Sequence, residues 1–359
     1  MKVIILAGGG GSRLFPLSRA SQPKQFLALE DDASLLAHTI RRFLTFVSAS
    51  DLLIVTNAAY RYLVENELAA CGASDAHIVC EPAPRSTAPA IALALLYAEE
   101  RLESPQGETY VVAASDHVIR PDSVFAACIR RGAAVAQDGC LVTFGVPAKS
   151  PETGYGYIEV GAADGDAYEV ASFREKPDAA TAERYVSAGR YFWNSGLFAF
   201  TGGFLRSELA ACEPAIASAM DTGLARFAEQ FAALPAVSID CAVAERSRCV
   251  RMVPLTCYWN DIGSWDAVWD ILPKDLAGNA TRGDVLAQDC KDSLLWSRSR
   301  LLVAIGLQGI LLVETPDAIV AIGKGASQHV KDAVETLRRQ GRKEPTATTD
   351  AQESMRQFI

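Results

Sequence analysis

The stretch from Val3 to Leu27, VIILAGGGGSRLFPLSRASQPKQFL, decides how the rest of the chain is read. Val3 to Ala7 has the length and branched composition of a fully buried strand. Gly8 to Gly11 then leave no Cβ between the backbone and whatever lies above the strand's carboxyl end, the edge where open α/β sheets bind ligands. Bare N–H groups in a glycine turn line up on phosphate oxygens. Arg13 and Lys24 follow with the positive charge that a transferring phosphoryl group needs. Two familiar glycine motifs fail here. A Walker loop requires Gly-Lys-Ser/Thr where Ser12-Arg13-Leu14 stands, and the dinucleotide fingerprint requires glycine where Arg13 or Leu14 stands.

The 359 residues exceed what one core usually supports, so two domains are expected. Half the residues are apolar and 21% are charged, the balance of a globular enzyme. Lys+Arg 34 against Asp+Glu 43 gives a net charge of -9, which argues against a nucleic-acid surface or an anionic-membrane binder. Phosphorylated substrates must then meet a local basic pocket. The nine cysteines form no CxxC pair and have no His partner at zinc spacing, so they read as reduced, buried, small apolar residues. The apolar run after Met1 is too short for a leader and no run has spanning length, so a cytoplasmic protein is expected.

Ser34 to Phe46 and Tyr60 to Cys71 carry helical spacing around the buried-strand run Leu52 to Thr56. The opening third therefore alternates strand and helix, which predicts a mostly parallel sheet. Glu81 to Pro89, EPAPRSTAP, is a stiff polar loop leading into a helix over Ala90 to Leu102, with Thr87 as N-cap. Tyr110 to Ala114 is the next buried strand. Asp116, just past its carboxyl end, is placed to hold Mg²⁺, which takes one or two carboxylates plus substrate phosphates; His117 reads as structural. Asn194 lies within the aromatic stretch Tyr191 to Phe200 and must find partners there, a substrate hydroxyl being one candidate. Gly203 to Phe231 reads as helical and Met252 to Tyr258 as a strand. Short strands follow around Leu294, Leu301 to Ile305, Ile310 to Val313 and Ala318 to Ile322, and then a helix over Ser327 to Arg339. The expected division is a domain over 1–275, a small β-rich domain with a terminal helix over 276–342, and a polar, disordered tail over 343–359.

The spacing from Gly8 through Arg13 to Pro23-Lys24-Gln25 resembles the signature of sugar-1-phosphate nucleotidylyltransferases, and PKQFL resembles their mannose-1-phosphate guanylyltransferase branch. Arg85-Ser86-Thr87-Ala88-Pro89, with Ser86 where the family usually carries Asn, PETGYGYI over 151–158 and FREKP over 173–177 continue the resemblance. WNSG over 193–196, SIDCAV over 238–243 and WNDIGSW over 259–265 complete it in family order. The resemblance implies a Rossmann-like, GT-A-like α/β fold of the nucleotide-diphospho-sugar transferase type. It also implies a small C-terminal β-roll or left-handed β-helix used in subunit contacts, hence a homodimer. The implied reaction joins mannose 1-phosphate and GTP into GDP-mannose and pyrophosphate, with Mg²⁺ or another divalent cation. In that assignment Gly8, Gly9, Gly10, Gly11, Arg85 and Thr87 bind the nucleotide, Arg13 meets its β- and γ-phosphates, and Lys24 approaches the α-phosphate. Gly156, Glu175, Lys176 and Asn194 hold the sugar phosphate, while Asp116 and Asp261 ligate the metal. Longer relatives continue into an isomerase domain that this sequence does not reach. The alternative readings are another base or sugar within the class, and a non-catalytic nucleotide-sugar-binding regulator. Lys24, Lys176, Asp116 and Asp261 occurring together favour an enzyme.

Overall fold

The structure is a computed structural model that describes residues 1–346, so 347–359, most of the expected tail, lie outside the described residues. The chain forms two compact units that interleave in sequence: residues 1–8 with 39–259, and residues 9–38 with 260 onward.

The first unit carries strands β1 (Lys2–Leu6), β2 (Leu52–Asn57), β3 (His77–Glu81), β4 (Thr109–Ala114), β5 (Val118–Arg120) and β6 (Leu141–Pro147). They are followed by β7 (Tyr157–Asp164), β8 (Ala167–Arg174), β9 (Tyr191–Thr201), β10 (Val250–Pro254) and β11 (Tyr258–Asn260). Nine of these make one sheet in the order β3-β2-β1-β4-β9-β6-β10-β8-β7, and β5 pairs with β11 apart from it. β1, β2, β3 and β4 pair in parallel, as do β6 and β10; only β9 and β8 run against the common direction. Val3, Ile4, Ile5 and Leu52 to Val55 are fully buried, as expected for parallel strands covered on both faces.

Helices α1 (Leu35–Leu44), α2 (Arg61–Ala70), α3 (Thr87–Arg101), α4 (Asp122–Ala136) and α5 (Ala179–Ala188) fall where the apolar spacing places helices or in the connections between strands. The alanine-rich stretch after β9 is three helices, α6 (Gly202–Cys212), α7 (Pro214–Met220) and α8 (Leu224–Gln230). Pro214 begins a new helix, and Gly223, at φ +84, breaks the next. Ile91 and Leu95 of α3 share a core with Ile4, Leu53 and Val112 of the sheet and with Leu205, Ile216 and Phe227 of α6 to α8. The expected strand over 252–258 is divided between β10 and β11.

The second unit contains α9 (Trp265–Ile271) and then β12 (Ala280–Arg282), β13 (Val285–Gln288), β14 (Leu294–Ser297), β15 (Leu302–Ile305), β16 (Ile310–Thr315) and β17 (Ala318–Gly323). α10 (Val330–Arg339) closes it. Strands β12, β14 and β16 pair in parallel in one sheet, β13 and β15 in another, and β17 turns back antiparallel on β16. The chain thus coils, alternating between two sheets. The turns are built on buried polar contacts: the Asn279 amide donates to the Cys290 carbonyl at 2.8 Å and to Asp275 at 3.1 Å.

The expected boundary near 275 is not where the chain divides. The loop after β1 belongs with the C-terminal strands because polar side chains tie it there. Arg19, 1% exposed, donates to the Asp317 carboxylate at 2.6 Å, to the Pro16 carbonyl at 3.0 Å and to the Glu344 carbonyl. The Trp265 indole donates to the Phe15 carbonyl at 2.9 Å, and Arg282 donates to the Leu29 and Asp31 carbonyls. Lys343 to Thr346 likewise depart from the expected disordered tail. The amides of Ala20 and Ser21 donate to the carbonyls of Pro345 and Thr346, which holds that segment in place. Among the described residues no helix is long and apolar enough to cross a membrane.

Candidate active site

In the first unit the carboxyl edge of the parallel strands brings together Gly8, Glu81 and Asp116. Gly8 follows β1, and a Cβ there would sit 2.4 Å from Glu81 Oε1, so glycine is the residue that lets the Glu81 side chain lie against this backbone. Desolvation alone lifts the Glu81 carboxyl to about 7. Asp116 follows β4 and is partly exposed. Its neighbour His117 accepts from the Trp259 indole at 3.2 Å and meets that ring edge-on.

The loop from Glu81 to Pro89 differs from expectation in its helix cap. Ser86, not Thr87, is the N-cap of α3; its φ of +65 with ψ of -170 is a backbone region close to glycine-only, and it makes no side-chain cap. Thr87 is the first helical residue, and its hydroxyl accepts from the Ile239 amide at 2.8 Å. Arg85 donates to the Ala232 carbonyl. Both Arg85 and Thr87 therefore already bond to the α8–β10 connection, which is what fixes the loop.

A second polar cluster gathers Gly156, Glu175, Lys176, Asn194 and Asp240. A Cβ on Gly156 would meet Glu175 Oε2 at 2.5 Å and Asn194 Cβ at 3.3 Å, so these three share one small volume. Adjacent side chains on a strand face opposite ways, yet Lys176 pairs with Glu175 because its φ of +45 bends the chain past the end of β8. Asn194, 9% exposed, finds its partners within the protein: its oxygen accepts from Thr143 at 3.1 Å and from the Gly196 amide at 3.1 Å, and its Nδ2 donates to Asp240 at 2.7 Å. Its amide thereby holds the Asp240 carboxyl in place. Desolvation, reinforced by the Glu175 charge, lifts the Asp240 carboxyl to about 6. Asp240 begins a single π-helical turn, Asp240–Ala244, a geometry that recurs at functional sites. Tyr155 meets Trp193 and Trp259 edge-on at 5.4 and 5.2 Å, so the PETGYGYI loop is backed by aromatic rings.

In the second unit Gly9 to Gly11 are held from below by the PKQ segment. The Gln25 amide donates to the Gly9 carbonyl at 3.1 Å, and a Cβ on Gly11 would meet Lys24 Cβ at 3.0 Å. The Lys24 ammonium donates to the Asp261 carbonyl, so it is joined to the WNDIGSW loop. Arg13 is exposed. Asp261 Oδ1 accepts from the Gly263 amide at 3.0 Å and Asn260 Oδ1 from the Ile262 amide at 2.7 Å, two successive side-chain turns. Between them Ile262 is held at φ +49, a conformation costly for a β-branched residue, by complete burial of its side chain. Among the described residues no three His, Cys, Asp or Glu side chains cluster as a metal cage.

Residues 2–278 match the sequence pattern of the Nucleotidyl transferase family. The chain belongs to that family. This nucleotidyl transferase is 42% identical over 353 residues to the xanthan biosynthesis protein XanB of Xanthomonas campestris pv. campestris strain B100, covering 96% of this chain and 74% of that protein. It is 40% identical over 358 residues to the mannose-1-phosphate guanylyltransferase of Escherichia coli K12, covering 95% of this chain and 74% of that protein. Its fold superposes with a TM-score of 0.86 on a Thermus thermophilus structure described as mannose-1-phosphate geranyltransferase, 28% identical, covering 94% of this chain and 99% of that one.

Two acids of this nucleotidyl transferase stand in its motifs without an assigned role. Glu81 ends the edge strand β3 at the carboxyl edge of the parallel strands, and Asp240 interrupts an otherwise apolar run; an acid in either setting is the signal that would have found it.

Proposed function

We propose that this nucleotidyl transferase joins mannose 1-phosphate to GTP, releasing pyrophosphate and forming GDP-mannose. The observation that carries the reading is the alignment along 95% of the chain with relatives named for that activity. An oxygen of the sugar phosphate attacks the α-phosphorus in line, the bond from the α-phosphorus to its bridging oxygen breaks, and pyrophosphate leaves. Such a reaction needs positioning and charge, not a protein nucleophile. In this reading Gly8, Gly9, Gly10 and Gly11 face the nucleotide phosphates, Arg13 steadies the leaving pyrophosphate, and Lys24 holds the α-phosphate. The Lys24 bond to the Asp261 carbonyl supports that role, because it pre-orients a flexible side chain. Arg85 and Thr87 act by holding the base-side loop in shape. Glu175 and Lys176 take the sugar and its phosphate, Gly156 gives them room, and Asn194 with Asp240 completes the sugar side.

Asp116 and Asp261 are proposed as the carboxylates for Mg²⁺. Carboxylates are the side chains Mg²⁺ takes, one or two at a time, with waters and substrate phosphates completing its shell. When bound, the cation would neutralise phosphate charge. The nine cysteines, all free thiols, fit a cytoplasmic setting. Leu286, Val303 and Ile305 stand exposed on β13 and β15 and suit a homodimer contact, with the C-terminal coil proposed to be a left-handed β-helix.

The test is pyrophosphate release with Mg²⁺ across GTP, ATP, CTP, UTP and dTTP against mannose 1-phosphate and glucose 1-phosphate. Release confined to GTP with mannose 1-phosphate is expected. Turnover at another combination moves the specificity, and no turnover from protein that binds GDP-mannose favours a regulator.

A further inference from the structure

The loop that carries Arg13 and Lys24 is fastened at its middle by the segment that follows α10. The Arg19 amide donates to the Gln22 carbonyl at 3.0 Å and the Gln22 amide to the Arg19 carbonyl at 3.1 Å, so Ala20 and Ser21 form the tip of a two-residue hairpin. Both tip amides are taken up by the later segment. Ala20 donates to the Pro345 carbonyl at 3.3 Å and Ser21 to the Thr346 carbonyl at 2.9 Å. The buried Arg19 guanidinium donates to the Glu344 carbonyl. Three successive carbonyls, 344 to 346, thus accept from three successive residues, 19 to 21. The accepting segment is itself braced, because the Thr346 amide donates to the Lys343 carbonyl at 2.8 Å, Pro345 is buried and Glu344 pairs with Arg342.

We infer that residues 344–346 are a positioning clasp, whose carbonyls hold the Arg19–Gln22 hairpin and through it set Lys24 for the transferring phosphate. This rests on the GTP and mannose 1-phosphate reading above. Lys24 stands two residues past the hairpin and opens the single 3-10 turn Lys24–Phe26. There its ammonium donates to the Asp261 carbonyl, and the Gln25 amide donates to the Gly9 carbonyl at 3.1 Å. Pro23 joins hairpin and turn at a φ of -61 fixed by its ring, so a shift of Gln22 passes on to Lys24 instead of being absorbed between them. A two-residue hairpin is marginal in water by itself. Released from residues 344–346, its tip amides would bond to water and the loop would lose its fixed position. A displacement of about 1 Å in a group that must meet a phosphate costs up to about 10²-fold in rate.

The experiment loosens the clasp from each side in the full-length chain. Ala20→Pro removes one donated amide at the second position of a turn, which suits proline, and Pro345→Gly frees the accepting segment. Each should lower kcat for pyrophosphate release from GTP and mannose 1-phosphate by about tenfold, with KM for mannose 1-phosphate held within about twofold. The two together should cost no more than the larger single loss, because they break one contact. In a Lys24→Ala background neither change should lower kcat further, whereas a merely structural segment would multiply the losses. Independently of turnover, acylation of Lys24 by an N-hydroxysuccinimide ester, mapped by mass spectrometry, should quicken severalfold in either variant, while that of Lys149, in the other unit, stays constant. An unchanged kcat, a loss that persists in full in the Lys24→Ala background, or unchanged acylation of Lys24 overturns the clasp. If Ala20→Pro does not fold, Pro345→Gly, which leaves the loop sequence intact, decides. Wild-type protein that releases no pyrophosphate from GTP and mannose 1-phosphate refutes the function proposed above, and the acylation rates then decide the clasp alone.

Discussion

Replacing Asp240 by asparagine should make the folded protein more stable at neutral pH and poorer as a catalyst. Asp240 is partly buried, faces the Glu175 charge and is held by the Asn194 amide at 2.7 Å. Moving its titration from 3.8 to about 6 disfavours the ionised side chain in the fold by at most about 3 kcal/mol. The sign follows from which state keeps the proton. Between the two values the unfolded chain ionises while the folded one stays protonated, so stability present below the lower value is lost as pH rises to about 6 and stays lost above it. Asparagine never ionises, yet its oxygen still accepts from Asn194. Urea unfolding of both proteins should therefore show the variant ahead by up to about 3 kcal/mol at pH 7.5 and by about half that at pH 5. The shift in Glu81 is common to both proteins and cancels. In the same preparation kcat/KM for mannose 1-phosphate should fall on the order of tenfold, through loss of a charged acceptor. A variant less stable than wild type at pH 7.5, or one with the same advantage at both pH values, would refute this account of Asp240.

Lys24→Ala should lower turnover on the order of 10²-fold with the fold intact by circular dichroism, the scale of removing one preorganised donor; near-wild-type rates would take Lys24 out of the mechanism. Asp116→Asn should abolish Mg²⁺-dependent pyrophosphate release without lowering the melting temperature, and full activity in that variant would end its assignment to the metal. Arg19→Ala leaves Asp317 and the Glu344 carbonyl without their buried cation and should cost about 3 kcal/mol in urea unfolding; a loss below about 1 kcal/mol would show that the tie is incidental. Ser86→Gly should raise stability by about 1 kcal/mol, because Ser86 is exposed and its backbone sits where glycine is at ease. A lower melting temperature would mean that the Ser86 side chain contributes something its contacts do not reveal.

The sheet was legible because its central strands are unbroken apolar runs, and runs such as VIIL and LLIV have few other homes than a covered parallel sheet. The division of the chain was not. Residues 9–38 read as the loop after the first strand and the start of the next helix, within the expected 1–275 domain, and no local pattern announces that Arg19 will be buried against Asp317, nearly three hundred positions later. Strands β12 and β13 were missed because they are short and their outward positions are polar in places, leaving little alternation to detect. The glycine turn after β1 could be placed from residue type alone, whereas FREKP by itself reads as a strand end and gains a site role only from the family resemblance. For Asn194 the need for partners was visible in the sequence, and Thr143, Gly196 and Asp240, distant from it or in a turn, are the partners the fold supplies. Nothing in the structure explains serine at position 86, whose φ of +65 with ψ of -170 suits glycine.

Three carboxylates show how the fold separates acids that serve itself from acids held for a ligand. Glu314 is 3% exposed, and against that desolvation it accepts from Ser299, Arg300 and Ser297, which bring it down to about 2. It is a structural acid: its charge is spent on the turn that joins β14 to β15. Glu81 and Asp240 are also desolvated; for Asp240 the Asn194 amide at 2.7 Å does not offset burial and the Glu175 charge, and the two rise to about 7 and about 6. Both lie on the first unit, one at the end of β3 and the other at the π-helical turn facing Glu175. Folding alone would favour a neutral or hydrogen-bonded residue at each position. A ligand that brings N–H or O–H donors to these oxygens recovers the missing interaction, so the energy withheld from folding reappears as selectivity in binding. The base and the sugar of a nucleotide sugar carry donors of that kind, and the phosphates between them carry none. Asp240 falls at the position proposed for the sugar, whereas the glycines and Lys24 are the groups proposed for the phosphates.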